Sequence, residues 1–460
     1  MLLRIPLALL LAIALHADDR PSFVFVFIDD MGYGDLSCYG NRDIRTENID
    51  RLAEEGIRFE QFYVASPICS PSRVGITTGQ FPARHLIHSF LNSRRRNMER
   101  GMRDFLDPSA PAIARVFQEA GYATAHFGKW HMGGGRDVDD APRPQAYGFD
   151  ESLVSFEGLG DRILPPGRLS EQSKRLGRGS IRDVEKHEMT EIYADRAIDF
   201  IRRNRERPFY LHLWLNDVHD RFFPKPNLLE KYTRFAANPY RQQYFAVMDE
   251  MDRQLGRVFG EVDALGLGER TILVLASDNG PTAWPRYYEE GHDPPGKTNG
   301  LRGRKWSLYE GGIREPLLVR WRGVAPQRAV NTRTVLSAVD LFPTFCSLAG
   351  IEHPDVAFDG VDMSAAFRGE QPVRERPLYW EYGRDPSYLR PGLESDRSPA
   401  LAVRAGDWKL LMNTDGSGAE LYDFSTGFTE DSNLAATNPD VVARLRRGLL
   451  EWWQSIPKAM

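Results

Sequence analysis

Two apolar runs in this chain end on groups that bind charge: SFVFVFIDD closes on Asp29 and Asp30, and TILVLASDNG leads into Asp278 and Asn279. A third stretch, HFGKWHMGG, sets Lys129 and His131 two residues apart, which puts both on one side of an extended backbone and lets them face one ligand. His219 follows the strand-like LHLWL, and Lys305 stands in GRKWSLYEGG with Arg304 beside it. Cys69 lies in ASPICSPSRVGITTGQFPARH, close to Pro71, Ser72, Arg73, Thr78 and Gly79. Carboxylates, ammonium groups, imidazoles and a thiol are the materials of acid–base and nucleophilic catalysis. They act together only if the fold brings their separate segments to one place.

The elements that would do so are legible. Residues 23–28 and 271–276 are continuous apolar runs, the pattern of strands buried on both faces. Helix-like stretches at 46–55, 110–120, 188–203 and 240–259 alternate with the strand-like YATAHFG and FYLHLWL, which describes an α/β sheet covered by helices. Open α/β sheets bind ligands beyond the carboxyl ends of their strands, so Asp29, Asp30, Asp278 and Asn279 are expected to converge there. Beyond about residue 365 the texture shortens to RPLYWEY, LAVRAGDWKLLMN and AELYDF, followed by the amphipathic NPDVVARLRRGLLEWW. Those read as antiparallel strands and one helix. The pattern predicts a catalytic domain over 18–369 and a smaller α+β subdomain over 370–460, with 159–182 as a long surface loop.

Composition narrows the class. A chain of 460 residues exceeds what one core usually serves, so a large domain with a companion is the natural expectation. No repeat or low-complexity tract points to a solenoid or to disorder. A net charge of −5 argues against a general polyanion coat and against a nucleic-acid partner. The run Arg94, Arg95, Arg96 could meet an acidic substrate or form a paired, solvated helix surface. The opening MLLRIPLALLLAIALHA, residues 1–17, reads as a signal peptide, and nothing later approaches the roughly 20 apolar residues of a spanning helix. The mature chain is expected to be secreted or periplasmic and off the membrane. Three cysteines are too few for a disulfide scaffold; Cys38 and Cys346 suit small buried or half-buried positions, and whether they pair is open.

The segment around Cys69 resembles the signature of type I sulfatases of the alkaline phosphatase superfamily, where the Cys of C-x-P-S-R is oxidised to formylglycine. The resemblance runs from FVFIDDMGYGDLSCYG through GYATAHFGKWHMGG and LASDNG to GRKWSLYEGGIREP and the closing WKLL and ELYDF. It implies an alkaline phosphatase-like fold: a large mixed central sheet flanked by helices, then a smaller C-terminal antiparallel sheet plus helix. It further implies a calcium ion held by Asp29, Asp30, Asp278 and Asn279 with the modified Cys69. Hard oxygen ligands suit calcium, and the neutral Asn279 lowers the ligand charge. Lys129 and Lys305 would grip sulfate, Arg73 would hold the formylglycine hydroxyl, His131 would handle its proton, and His219 would contact sulfate and protonate the leaving oxygen. A formylglycine-generating enzyme is the implied maturation partner.

A thiolate alone suits sulfate ester hydrolysis poorly, because its sulfur adduct would still need displacing. A hydrated aldehyde attacks through one oxygen and releases sulfate by re-forming the carbonyl. The chain departs from the family after His219, where DRFFP replaces an earlier Pro and leaves the histidine's pose open. Arg304 could likewise substitute for Lys305. The motifs point to the reaction and not to the alcohol released. Export and polar loops favour an exo-acting sulfatase with a sulfated carbohydrate substrate, with His85, Asp220, Arg221, Trp284, Tyr287, His292 and Arg384 as candidate selectivity groups. Ordinary packing is the alternative for each. Two other functions compete: a phosphonate or phosphodiester hydrolase, against which Asp278-Asn279 argues, and a noncatalytic calcium-dependent glycan binder, which would have little reason to keep the six catalytic side chains. Oligomeric state leaves no mark in the sequence.

Overall fold

The computed structural model describes residues 20–288, 291–385 and 391–459; the leader expected over 1–17 lies outside them. Eleven strands make one sheet: β1 Ser22–Ile28, β2 Ile57–Tyr63, β3 Ala123–Lys129, β4 Glu151–Ser155, β5 Arg162–Leu164, β6 Ile181–Asp183, β7 Phe209–Leu215, β8 Thr271–Ser277, β9 Arg314–Arg320, β10 Ala329–Asn331 and β11 Leu336–Ser337. Their order is β10-β2-β9-β8-β1-β7-β3-β4-β5-β6, with β11 also beside β2. β9 runs antiparallel to both β8 and β2 while its neighbours pair in parallel, so the sheet is mixed.

Alternation makes β1 a core strand. Phe23, Phe25 and Phe27 face one hydrophobic cluster, and Val24, Val26 and Ile28 face the other. β8 divides the same way, with Ile272, Val274 and Ala276 on one side and Leu273 and Leu275 on the other. Both faces therefore need helices. Helices Glu47–Glu54, Met189–Arg203 and Pro239–Ala264 cover one face; Cys69–Thr78, Ile113–Glu119 and Leu341–Ala349 cover the other. Cys346 is buried in the last of these, and all three cysteines are free.

The four central strands β8, β1, β7 and β3 are adjacent, and their ends are in step. Ile28 lies opposite both Ser277 and Leu215, and Gly128 lies opposite Trp214. The residues that follow each strand thus emerge side by side at one edge of the sheet.

Residues 159–182 are not a structureless loop. They hold β5, helix Arg168–Arg175 and the start of β6. The buried Arg162 explains the order: its guanidinium reaches the carbonyls of Gly158, Ser173 and Gly177, while Ile163 and Leu164 are buried beside it. A Gly- and Arg-rich composition concealed that anchor.

A second sheet follows, all antiparallel: β12 Leu378–Glu381, β13 Leu401–Ala405, β14 Trp408–Met412 and β15 Glu420–Asp423, covered by helix Pro439–Ser455. One apolar cluster runs unbroken from the β1 phenylalanines to Trp452, and Trp380 Nε1 donates to Val64 O at 2.8 Å. The change near residue 370 separates two sheets, not two cores. No helix among the described residues is long and apolar enough to cross a membrane.

Candidate active site

Helix Cys69–Thr78 is buried along its whole length. Cys69 opens it, and Arg73 follows four residues later, one turn on and on the same face. Pro71 is tolerated in the first turn, where its missing N–H has no intrahelical partner to lose. The helix N-terminus adds partial positive charge beside the thiol. Gly79 ends the helix at φ +67, where an added Cβ would come within 2.6 Å of the Phe358 ring.

Around the helix start, the strand ends deliver interlocked charges. Asp30, at φ 61, turns back after β1 and its N–H donates to Asp278 Oδ1 at 3.0 Å. Arg73 donates to Asp278 Oδ2 at 2.8 Å and sits 3.5 Å from Asp29 Oδ1. Lys129 Nζ donates to Asp29 Oδ2 at 2.5 Å, and Lys305 Nζ to the Asp30 oxygens at 2.5 and 2.7 Å. His219 Nε2 lies 3.7 Å from Asp30 Oδ2. Asn279 Nδ2 donates to Asp30 Oδ1 at 2.7 Å, whereas its buried Oδ1 has no partner.

These residues fit a hard divalent cation. Ligand atoms of Asp29, Cys69 and Asp278 lie within 4.8 Å of one another. The donors are carboxylates and one orphaned amide oxygen, an atom that costs free energy to bury unpaired and that a cation would satisfy. Lys129 and Lys305 supply the counter-charge to Asp29 and Asp30.

Burial and neighbours split the titration of these groups. Burial alone would raise Asp29, but Lys129, His219, Arg73 and Lys305 together hold it well below the usual carboxylate range. Burial and the charge of Asp29 push Asp278 well above that range. Burial lowers His219 to about 4 and, with help from Lys129 and Arg73, carries His131 well below the imidazole range. Both imidazoles are therefore neutral near pH 7 and able to accept a proton. Burial raises the Cys69 thiol against the pull of Lys129 and Lys305. A thiol kept protonated is a weak nucleophile.

A cavity of about 910 Å³ opens over the cluster, lined by Asp29, Cys69, Lys129, His131, His219 and Lys305 among others. His131 arrives there by a different route from the one its spacing suggests. β3 stops at Lys129, and His131 takes a left-handed conformation at φ 50 instead of continuing extended. Arg304 donates to Gly296 O at 2.5 Å and is absent from the lining that contains Lys305. Asp220, Arg221, Trp284 and Tyr287 line the cavity; His85, His292 and Arg384 do not. His292 packs its ring on Tyr240, and Arg384 bonds Glu381 and the carbonyls of Pro457 and Lys458. His212 is structural, accepting or donating at Tyr210 Oη over 2.6 Å and stacking on Trp214. Of the arginine run, Arg94 pairs with Asp104, Asp139 and Asp140, and Arg95 and Arg96 with Glu99.

Sequence reasoning missed Lys186. Its Nζ donates to the carbonyls of His219 at 2.6 Å and Arg221 at 2.7 Å, tying down the loop whose pose the sequence left open. It also missed Arg136, Phe156 and Glu157 on the cavity wall. Only left-handed backbone singles them out, and the sequence does not show it.

Comparison with known proteins agrees with this geometry. The family model described as Sulfatase matches residues 21–351, and the model for the N-sulphoglucosamine sulphohydrolase C-terminal region matches 302–454. The chain is 31% identical to steryl-sulfatase of Mus musculus, over 79% of this chain and 67% of that protein. It is 27% identical to the N-acetylgalactosamine-6-O-sulfatase of Bacteroides thetaiotaomicron, over 93% and 92% of the two chains. The crystal structure of Ps i-CgsB in complex with k-i-k-neocarrahexaose superposes with a TM-score of 0.78 at 25% identity, covering 96% of this chain and 94% of that one.

Proposed function

Given that the chain belongs to the sulfatase family and hydrolyses sulfuric esters, we propose that it removes sulfate from a carbohydrate and that Cys69, as formylglycine, is its nucleophile. The observation that carries the reading is the meeting of Cys69 with three carboxylates, one orphaned amide oxygen and two lysines at the end of β8, β1 and β3. The carbohydrate follows from the relatives that act on or bind saccharides and from a cavity with both aromatic and cationic walls.

Asp29, Asp30, Asp278 and Asn279 would hold a calcium ion beside the modified Cys69. When bound, that ion supplies fixed positive charge for the sulfate oxygens. Formylglycine supplies, as its hydrate, one oxygen to attack sulfur and a second hydroxyl whose deprotonation expels sulfate as the aldehyde re-forms. The rest is done by side chains already in place. Lys129 and Lys305 hold the sulfate against its like-charged surroundings. Arg73, locked on Asp278, orients the formylglycine hydroxyl. His131, neutral and without a hydrogen-bond partner on either ring nitrogen, takes the hydroxyl proton. His219, whose Nδ1–H donates to Asp220 O, is neutral at rest and takes a proton on Nε2 before passing it to the departing sugar oxygen. A formylglycine-generating enzyme would mature the chain, and secretion or a periplasmic location would match its opening residues. The boundary near 369 divides this catalytic sheet from the C-terminal subdomain.

The test is sulfate release by the mature enzyme from a panel of sulfated saccharides, aryl sulfates and phosphonate monoesters, before and after chelation. Release from at least one saccharide, lost on chelation and restored by calcium, is expected. Turnover of aryl sulfates alone would overturn the carbohydrate assignment. Turnover of phosphonates alone would favour the hydrolase of the same superfamily.

A further inference from the structure

The catalytic cavity does not end at the nucleophile. It continues into a second cleft of about 330 Å³, and the two share Asn92, Arg136, Arg168 and Leu169. Arg96 lines the far side of that cleft. The saddle between the two spaces carries Arg136 and Arg168, the cleft beyond it also holds Asp137, and among the described residues neither arginine has a hydrogen bond or ion pair to Asp29, Asp30, Asp278 or Asn279.

The backbone at this saddle is unusual. Among the described residues eleven non-glycine positions have positive φ, and five of them, His131, Arg136, Phe156, Glu157 and Trp306, line the catalytic cavity. Left-handed backbone is costly for such side chains and persists where the surroundings hold it for a purpose. Two backbone bonds do so here, His131 N to Phe156 O at 3.1 Å and Gly133 N to Glu157 O at 3.3 Å. The consequence falls on Arg136, at φ 52, whose Nε donates to the buried Glu157 Oε1 at 2.7 Å. That bond fixes the plane of the guanidinium. Among the described residues its two Nη groups have no hydrogen-bond partner. Arg168, exposed at the first position of its helix, adds a second guanidinium.

A fixed guanidinium fork with unpaired Nη groups matches the planar oxygens of a carboxylate or the paired oxygens of a sulfate. The Arg136–Glu157 pair is neutral as a unit, so the excess positive charge at the saddle comes from Arg168. We propose that Arg136 and Arg168 form a subsite for a second anionic group, carried by the sugar unit next to the one that loses sulfate. The substrate class is then a polyanionic oligosaccharide, with its target unit over Cys69 and its anionic neighbour across the saddle. This inference rests on the sulfatase reading of the Cys69 site.

The experiment compares two saccharides with the same sulfated target unit, one with a neutral neighbour and one with a neighbour bearing carboxylate or sulfate. The mature enzyme should favour the anionic-neighbour substrate by about tenfold or more in kcat/KM, the scale of a charge-assisted hydrogen bond, mostly through KM, and the preference should shrink with added salt. Arg168→Gln should lower that ratio toward one. Arg136→Gln combined with Glu157→Gln, which leaves no unpaired buried carboxylate, should do the same. Carboxylate-bearing and sulfate-bearing neighbours run as separate arms identify which anion is preferred. Equal kcat/KM for neutral and anionic neighbours, or a preference unchanged in both variants, would overturn the subsite. Failure to release sulfate from either saccharide would instead overturn the proposed function beneath it.

Discussion

Two buried charge clusters lie at the two ends of the segment from Lys305 to Glu310, and their difference shows what distinguishes a site from a staple. At the catalytic end, Asp29, Asp30 and Asp278 meet Arg73, Lys129 and Lys305 under an open cavity, and the Asn279 Oδ1 and both His131 nitrogens lack partners. At the other, Lys409 from β14 pairs with Glu310 Oε1 at 2.8 Å and Glu430 Oε1 at 2.9 Å, all with no more than 2% exposure. Glu310 Oε2 accepts from Tyr63 Oη at 2.7 Å, its N–H donates to Glu430 Oε2 at 2.7 Å, and Arg404 reaches Tyr63 and Gln61. The second cluster joins the two sheets. Both hold several charges out of water, but only the first keeps unpaired polar atoms facing a space that a ligand can enter.

Breaking the comparison at the catalytic end should remove chemistry and leave the fold. Cys69→Ala is expected to lower kcat by about 10⁴-fold or more, the scale for a lost nucleophile, with a melting temperature close to that of the parent. Lys305→Ala should cost about 10²–10³-fold in kcat, as for a lost donor to developing charge. Steady-state kinetics and calorimetry on the same preparations separate the two effects.

At the sealed end the signs reverse. Lys409→Met leaves Glu430 without its cation and Glu310 with only Arg314 at 3.8 Å, and should destabilise the protein by about 3–5 kcal/mol, read by denaturant unfolding, while kcat per folded molecule changes little. Replacing Glu310 and Glu430 with Gln in the same variant should recover much of that loss, because removing a buried ionic group whole costs less than halving it.

Calcium sharpens the contrast further. A ligand at 100-fold its dissociation constant stabilises the folded state by about 2.7 kcal/mol. Calcium should therefore raise the melting temperature of the parent and of Lys409→Met, but not of Asp278→Ala. An equal rise in all three would place the ion elsewhere.

The smallest effect is a pH signature. Burial raises Glu430 from 4.5 to about 7, against the pull of Lys409. Between those values the folded chain binds more protons than the unfolded one, so this group's contribution is fully present below 4.5 and is lost as pH rises through about 7. Glu430→Gln should flatten the stability profile across that window. An unchanged slope would show that Glu430 is ionised throughout the window.

The catalytic cluster was far more legible in the sequence than the staple. Asp29, Asp30, Asp278 and Asn279 each follow a continuous apolar strand, and the strand-end rule joins them without any knowledge of the loops between. Cys69 and Arg73 are spaced by one helical turn. Glu310 lies 99 residues before Lys409 and 120 before Glu430 with no periodicity to link them, and only the docking of the second sheet brings them together. Arg384 and His292 show the same limit from the other side. Loop-like sequence signals accessibility but not which side chains reach the cavity wall, and neither lines it. The order of 159–182 depends on Arg162 reaching carbonyls up to 15 residues away, a tertiary fact that composition hides.

The most direct test of the central claim is mass spectrometry of the peptide spanning Cys69, taken from enzyme whose sulfate release has been measured in the same sample. The peptide should weigh about 18 Da less than its cysteine form, as a thiol becomes an aldehyde, in a fraction that rises in proportion to specific activity. Full activity with Cys69 unmodified would contradict it.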